Sequence, residues 1–198
     1  MTYDVEFETV ELLENSDAET RGVDAFALSL IKAERQIRKL FTYLVFQFPA
    51  FSLADVAGFR DVLGQNKKVY FDGFINGIDA LCPKSVKDLV GGDYDSLVTE
   101  LHRAIDFRNK IFHGQLTDKF LSREELLALT TTIRKWCQRL AMQAESEFDY
   151  NGFARNSLRK HSEPIWTMYR IHIANGDDYR KFIRKHMEAH RKRPCTKG

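Results

Sequence analysis

Leu30, Ile37, Phe41, Leu44 and Phe48 follow one another at steps of three, four and seven residues, and Pro49 closes the run. That spacing sets all five on one side of an α-helix, so residues 24–48 read as a long helix with a core-facing stripe. Asp24 is placed to cap it, and a proline cannot continue it. A chain carrying such a helix must supply other apolar faces to cover it, and the rest of the sequence does so with more helices.

Ser52-Leu53-Ala54-Asp55 opens a short helix to Leu63, ended by Gly64. Residues 67–82 give a further helix through Tyr70, Phe74, Ile78 and Leu81, stopped by Pro83. Gly73 and Gly77 lie four apart on it, which in a water-soluble setting points to close helix packing. Lys84 to Val90 adds a turn, and Gly91-Gly92 breaks the chain. Asp93 starts a helix with a buried stripe of Leu97, Leu101, Ile105 and Phe112. Ser122-Arg123-Glu124-Glu125 is a capping box. It opens a helix to Phe148 whose stripe is Leu126, Leu129, Ile133, Trp136 or Cys137, Leu140 and Ala144, with Asn151-Gly152 as its terminator. Two shorter helices follow, one from Ser162-Glu163-Pro164 through Trp166, Tyr169 and Ile173, ended by Asn175-Gly176. The other runs from Asp177 or Asp178 through Phe182, Ile183 and Met187. The expected fold is all-α, an antiparallel helical bundle over 24–150 with a basic helical extension over 151–198. Residues 1–23 read as an acidic lead-in, irregular or a short strand through Tyr3-Asp4-Val5-Glu6-Phe7-Glu8.

With 198 residues, 43% of them hydrophobic and 29% charged, the chain holds a core of its own and is not a disordered segment. No apolar run approaches the roughly 18 residues of a membrane span, so no membrane partner is expected. The acidic start does not resemble a signal peptide, and Cys82, Cys137 and Cys195 show neither a disulfide framework nor metal-ligand spacing. The expected setting is a reducing cytoplasm.

The net charge of +2 conceals two opposed ends. Residues 1–24 carry eight acids against Arg21, a charge of −7. Residues 151–198 carry twelve Lys and Arg against four acids, a charge of +8. Such polarity fits either a polyanionic partner for the basic end or pairing between the two ends.

Arg108-Asn109-Lys110-Ile111-Phe112-His113-Gly114 closes the helix that Asp93 opens, with Gly114 as its left-handed terminator. Asn109 and His113, four apart, are neighbours on one face, which lets the amide orient the imidazole. Arg108 and His113 are separated by about 140° around the helix, so they do not converge within one regular helix. Two copies meeting about a two-fold axis would bring both pairs into one groove. Arginine and histidine are what metal-free RNA cleavage requires. The ribose 2′-OH loses a proton as it attacks phosphorus, the 5′-oxygen gains one, and imidazole titrates in the right range for either step. A guanidinium grips the phosphate through parallel hydrogen bonds and offsets its growing charge. Glu34 lies inside the apolar stripe of the 24–48 helix and needs a partner. It either pairs with Arg38 one turn on, or sits at the stripe's edge, or faces Arg108 and orients it.

Arg108, Asn109 and His113 resemble the signature of HEPN domains: an arginine, a polar residue that is often asparagine, three further positions, then histidine. The resemblance spans residues 24–150 and implies an all-α domain that dimerises. Active members of that family are metal-independent ribonucleases of toxin–antitoxin, anti-phage and CRISPR-associated systems. The resemblance therefore implies catalytic roles for Arg108 and His113 and a supporting one for Asn109. It implies RNA, a second copy and an antitoxin or other regulatory protein as partners, with no cofactor, no metal and no DNA. Gln115 stands where the branch silenced by a nucleotidyltransferase has tyrosine, so that modification is not expected. Other members are catalytically dead and only bind RNA, nucleotides or proteins, which is the alternative here.

RNA contacts are expected from Lys110 and from Arg180, Lys181, Arg184 and Lys185, interleaved with Tyr179 and Phe182. The alternative is a solvated helix face or one neutralised by residues 1–24. His186 and His190 resemble half of a zinc site without a third ligand, and Cys82 and Cys137 read as core residues.

Overall fold

The computed structural model describes residues 2–64, 66, 68–113 and 121–188. Eight α-helices account for the fold among them: α1 (Tyr3–Glu14), α2 (Arg21–Phe46), α3 (Val56–Gly64), α4 (Phe71–Leu81), α5 (Val86–Val90), α6 (Tyr94–Phe112), α7 (Arg123–Phe148) and α8 (Gly176–His186). The chain is an all-α helical bundle.

α2 and α7 form its spine, and each is 26 residues long. Gly22 packs on Arg123, Gln36 Nε2 donates to the Cys137 carbonyl at 3.0 Å, and Tyr43 Oη donates to the Phe148 carbonyl at 2.9 Å. The partners rise in step along both helices, so α2 and α7 run in the same direction. α6 runs against α7. Asp93 at its start meets Lys135 and Arg139, while Glu100 and Arg103 further on lie beside Glu125 and Ala128. The capping box at Ser122 forms as expected: its hydroxyl accepts from the Glu125 N–H at 3.1 Å, and the Glu125 carboxylate accepts from the Ser122 N–H at 2.9 Å.

The core runs through the whole described chain. Phe26, Leu30, Ile37, Phe41 and Leu44 of α2 are buried with Ile133, Trp136, Cys137 and Leu140 of α7. Tyr43 stacks on Tyr150 at 4.5 Å, and burial pushes the Tyr43 phenol up to about 12, which keeps its donor proton in place. Gly73 and Gly77 do what their spacing implies. A Cβ on Gly73 would come 2.3 Å from the Met187 carbonyl, and one on Gly77 would meet Phe41 at 2.9 Å. α4 thus lies directly against the end of α8.

Three expectations need correction. Residues 3–14 are neither irregular nor a strand: they form α1, with Phe7 and Val10 fully buried. The acids of α1 conceal its apolar side, because Glu6 reaches Lys32 at 3.0 Å while Arg134 binds Glu14 at 2.8 Å and also Glu11. Three of the acids, Glu6, Glu11 and Glu14, are thus paired with α2 and α7 rather than with the basic end, among the described residues.

The second correction concerns residues 162–175, which form a single 3-10 turn at Ile165–Met168 instead of a helix. Together with the residues just before it, from Lys160 on, the segment is an extended strap whose cations bind carbonyls. Lys160 Nζ donates to Phe46 O and Phe48 O at 2.5 and 2.8 Å, and Arg170 donates to Pro83 O at 2.7 Å. The Lys160 contact to Phe46 O satisfies the last carbonyl of α2, and the Arg170 N–H does the same for Leu81 O at the end of α4, at 2.9 Å. Asn175 then caps α8 rather than ending an earlier helix, its side chain accepting from Asp177 and Asp178 N–H at 3.0 Å.

Third, Phe112 leaves the buried stripe and is 61% exposed. The stripe of α6 continues instead through Ala104 and Phe107, because Arg108, the next position in line, turns towards α2.

Candidate functional site

α2, the start of α4 and the second half of α6 enclose a cleft of about 500 Å³. Glu34, Arg38, Tyr70, Asp72, His102, Asp106, Arg108 and Asn109 give it its polar lining, with Phe71, Phe74 and Ile105 as apolar wall. Ligand sites commonly have this make-up, a cleft of some hundreds of cubic ångströms with convergent polar groups.

Arg108 is the most constrained of these groups. Its Nη1 donates to Glu34 Oε2 at 2.8 Å and its Nη2 to Glu34 Oε1 at 2.9 Å, a bidentate ion pair. Its Nε donates to Asn109 Oδ1 at 3.1 Å. Both partners are largely sheltered, with 20% and 28% of their side-chain surface exposed. The stray acid in the α2 stripe is thus explained: Glu34 faces Arg108, and the pairing with Arg38 does not form. Three of the five guanidinium N–H groups are engaged among the described residues.

Asn109 does not orient His113. Its carbonyl oxygen accepts from Arg108, and no hydrogen bond joins the two side chains of Asn109 and His113 among the described residues. The neighbouring guanidinium, fixed by Glu34, offers Asn109 a nearer donor than a ring one full turn on. His113 caps α6, its backbone N–H bonded to the Asn109 carbonyl at 3.1 Å, and its side chain is exposed. It does not line the cleft. The helix stays regular through Phe112, so Arg108 and His113 keep their angular separation and do not meet within one chain. Gly114, expected as the terminator, and Gln115 lie outside the described residues.

Lys110 is half-buried on the same turn. On α8, Arg180 binds Asp177 at 2.7 Å and Lys181 reaches Asp178 at 3.5 Å, each an exposed pair three residues apart. Such pairs are weak and break readily for a stronger anion. Arg184 and Lys185 have no ion pair among the described residues, and Arg184 lines a second cleft with Lys68 and Arg180. None of the residues that line this second cleft lines the first. His186 stacks near Phe182 at 4.9 Å, and burial, then Lys185, lower its pKa. His190 lies outside the described residues. Cys82 and Cys137 are buried core thiols, and burial raises both.

The sequence reading missed one pair. His102 Nε2 and Asp72 Oδ1 are 2.6 Å apart across the mouth of the cleft. Its only trace in the sequence is periodic: His102, Asp106, Asn109 and His113 recur at four-, three- and four-residue steps, a polar rail along α6. That Asp72 faces it from α4 is a tertiary fact. No family model, curated protein or solved structure matches this chain.

Proposed function

We propose that this protein is a metal-independent endoribonuclease of the HEPN type, working as a homodimer. The observation that carries the reading is the bidentate Glu34–Arg108 pair. It fixes a guanidinium in a polar cleft, with Asn109 beside it and an exposed histidine at the end of the same helix. A carboxylate that holds an arginine by two bonds presets its plane, and a preset plane is what phosphate recognition needs.

A second copy supplies what one chain lacks. With two α6 ends opposed about a two-fold axis, His113 of each copy comes to the Arg108 side of the other. The exposed ring of Phe112 is the apolar anchor for that contact, since aromatic residues are enriched at such interfaces. In the shared groove Arg108 and Asn109 hold the phosphate. One His113 removes the 2′-OH proton as oxygen attacks phosphorus, and the bond to the 5′-oxygen breaks. The other His113, protonated, gives that oxygen its proton. The products are a 2′,3′-cyclic phosphate and a free 5′-hydroxyl. In this reading the protein serves as a toxin or anti-phage effector, held in check by an antitoxin or other regulatory protein. A cytoplasmic setting accords with the free thiols of Cys82 and Cys137.

The test is RNA cleavage in excess EDTA by wild type, Arg108→Ala and His113→Ala. Cutting by wild type alone supports the reading, and cutting that chelator abolishes or that His113→Ala retains refutes it. A second reading has its own support. The positive charge of Arg108 is already matched by Glu34, as in a purely structural pair, so the same fold serves as a non-catalytic RNA- or protein-binding module. Wild type that binds RNA and leaves it intact selects that one.

A further inference from the structure

The cleft holds three carboxylates near Arg108, and two of them are occupied. Glu34 is taken by Arg108, and Asp72 by His102. Asp106 lies between those pairs on α6, one turn after His102 and just short of one turn before Asn109, and it lines the same cleft. It has no hydrogen bond or ion pair among the described residues. Arg38 is its cationic counterpart. Its guanidinium lies 5.6 Å from the centre of the Phe74 ring and has no carboxylate partner among the described residues. At the rim Tyr70 exposes 63% of its surface, so an aromatic face stands open beside the charged groups.

An unpartnered carboxylate, an open aromatic ring and a free guanidinium around one cleft are the groups that hold an unstacked nucleotide: edge, face and phosphate. The carboxylate selects among bases. Guanine alone places two N–H donors side by side on its Watson–Crick edge, the ring N1–H and the exocyclic amine, matching the two oxygens of a carboxylate. Adenine and cytosine set an acceptor nitrogen beside their amine, and uracil sets its one N–H between two carbonyls, so each turns a lone pair towards Asp106.

We propose that this cleft is a guanine-reading subsite, in which Asp106 accepts both edge N–H groups, Tyr70 stacks on the base and Arg38 holds the adjoining phosphate. The proposal rests on the ribonuclease reading above and names the base that the strand presents beside the cut. Asp106 and His113 are seven residues apart on a regular helix, about 10 Å along its axis, so the base read is close in sequence to the scissile phosphate.

Two measurements separate this proposal from the nuclease reading. The first maps the ends produced by wild type from a randomised RNA pool. Guanine is expected at one fixed position relative to the cut with about a tenfold preference, lost in Asp106→Ala. Cutting with no base preference, or with a guanine preference that Asp106→Ala retains, overturns the subsite and leaves the nuclease standing. The second uses the non-cutting His113→Ala protein and labelled uridine hexamers with and without one guanosine, read by fluorescence anisotropy. About tenfold tighter binding of the guanosine hexamer, abolished by adding Asp106→Ala and weakened by Tyr70→Ala, supports the subsite even if wild type cuts nothing. Equal affinity for both hexamers overturns it. Asp106 and Tyr70 are exposed, so both variants are expected to fold, and circular dichroism checks this.

Discussion

Glu34 on α2 and Arg108 on α6, 74 positions apart in the chain, meet through two parallel hydrogen bonds of 2.8 and 2.9 Å. The contact ties the spine of the bundle to the helix that ends in His113. It also determines where the guanidinium points, because Asn109 completes the arrangement from the next position. Glu34 touches neither substrate nor product in the proposed reaction, so its role is positioning.

Replacing Glu34 by alanine should therefore harm catalysis more than folding. The lost pair is partly exposed and costs about 1–2 kcal/mol of stability. A guanidinium that is no longer fixed should slow RNA cutting on the order of 10²-fold. Glu34→Gln, which keeps one acceptor, should fall between. Urea unfolding and single-turnover cleavage measured on the same preparations distinguish the two effects. A purely structural pair would lower stability and leave the cleavage rate of the folded fraction unchanged.

The close approach of α4 to the end of α8 gives a test of the fold. Alanine is a better helix former than glycine by about 1 kcal/mol, so propensity alone would make Gly73→Ala stabilising. Its Cβ would instead press on the Met187 backbone carbonyl, which has nowhere to move. Gly73→Ala should destabilise by about 1–3 kcal/mol. Gly77→Ala meets mainly the flexible Met187 side chain and the Phe41 ring, and should cost less. Thermal melts of the two variants check the order.

Two capping boxes give an acid-sensitive contribution. The Ser85 hydroxyl and then the Ser85 N–H hold the Asp88 carboxylate below its ordinary value of 3.8, and Ser52 does the same for Asp55. A carboxylate whose folded value is depressed binds fewer protons folded than unfolded. Its contribution is complete above the ordinary value and is lost as pH falls through the folded one. The urea midpoint of wild type should drop between about pH 5 and about pH 3, and Ser85→Ala should drop less over the same interval. Equal drops would show that the Asp88 cap has no part in acid sensitivity.

Much of this architecture is legible in the residues themselves. The stripe of α2, the capping box at Ser122, the stop at Pro83 and the paired glycines of α4 each state a local rule that the fold obeys. What escapes the sequence is what depends on partners. The acids of α1 read as solvent-facing until Lys32 and Arg134 are seen to meet them. The strap around Trp166 has aromatic spacing fit for a helix, yet packing holds it extended, with Trp166 tilted against His172 and Phe48 beside Tyr169. The site divides in the same way. Arg108, Asn109 and His113 stand together in the sequence, whereas Glu34 has two possible partners there or none, and the link from His102 to Asp72 joins two helices.

The central claim is that one functional site draws Arg108 and His113 from different chains. Arg108→Ala and His113→Ala should each be inactive as homodimers. Co-expressed with different tags and purified through both, the mixed dimer still holds one intact Arg108 and one intact His113 on opposite chains. If the site is composite, that mixed dimer regains part of the RNA cleavage in the presence of EDTA that both parents lack, slower than wild type because one of the two histidines is missing. A mixed dimer as inactive as its parents, or a wild-type chain that sediments as a monomer, would contradict the account.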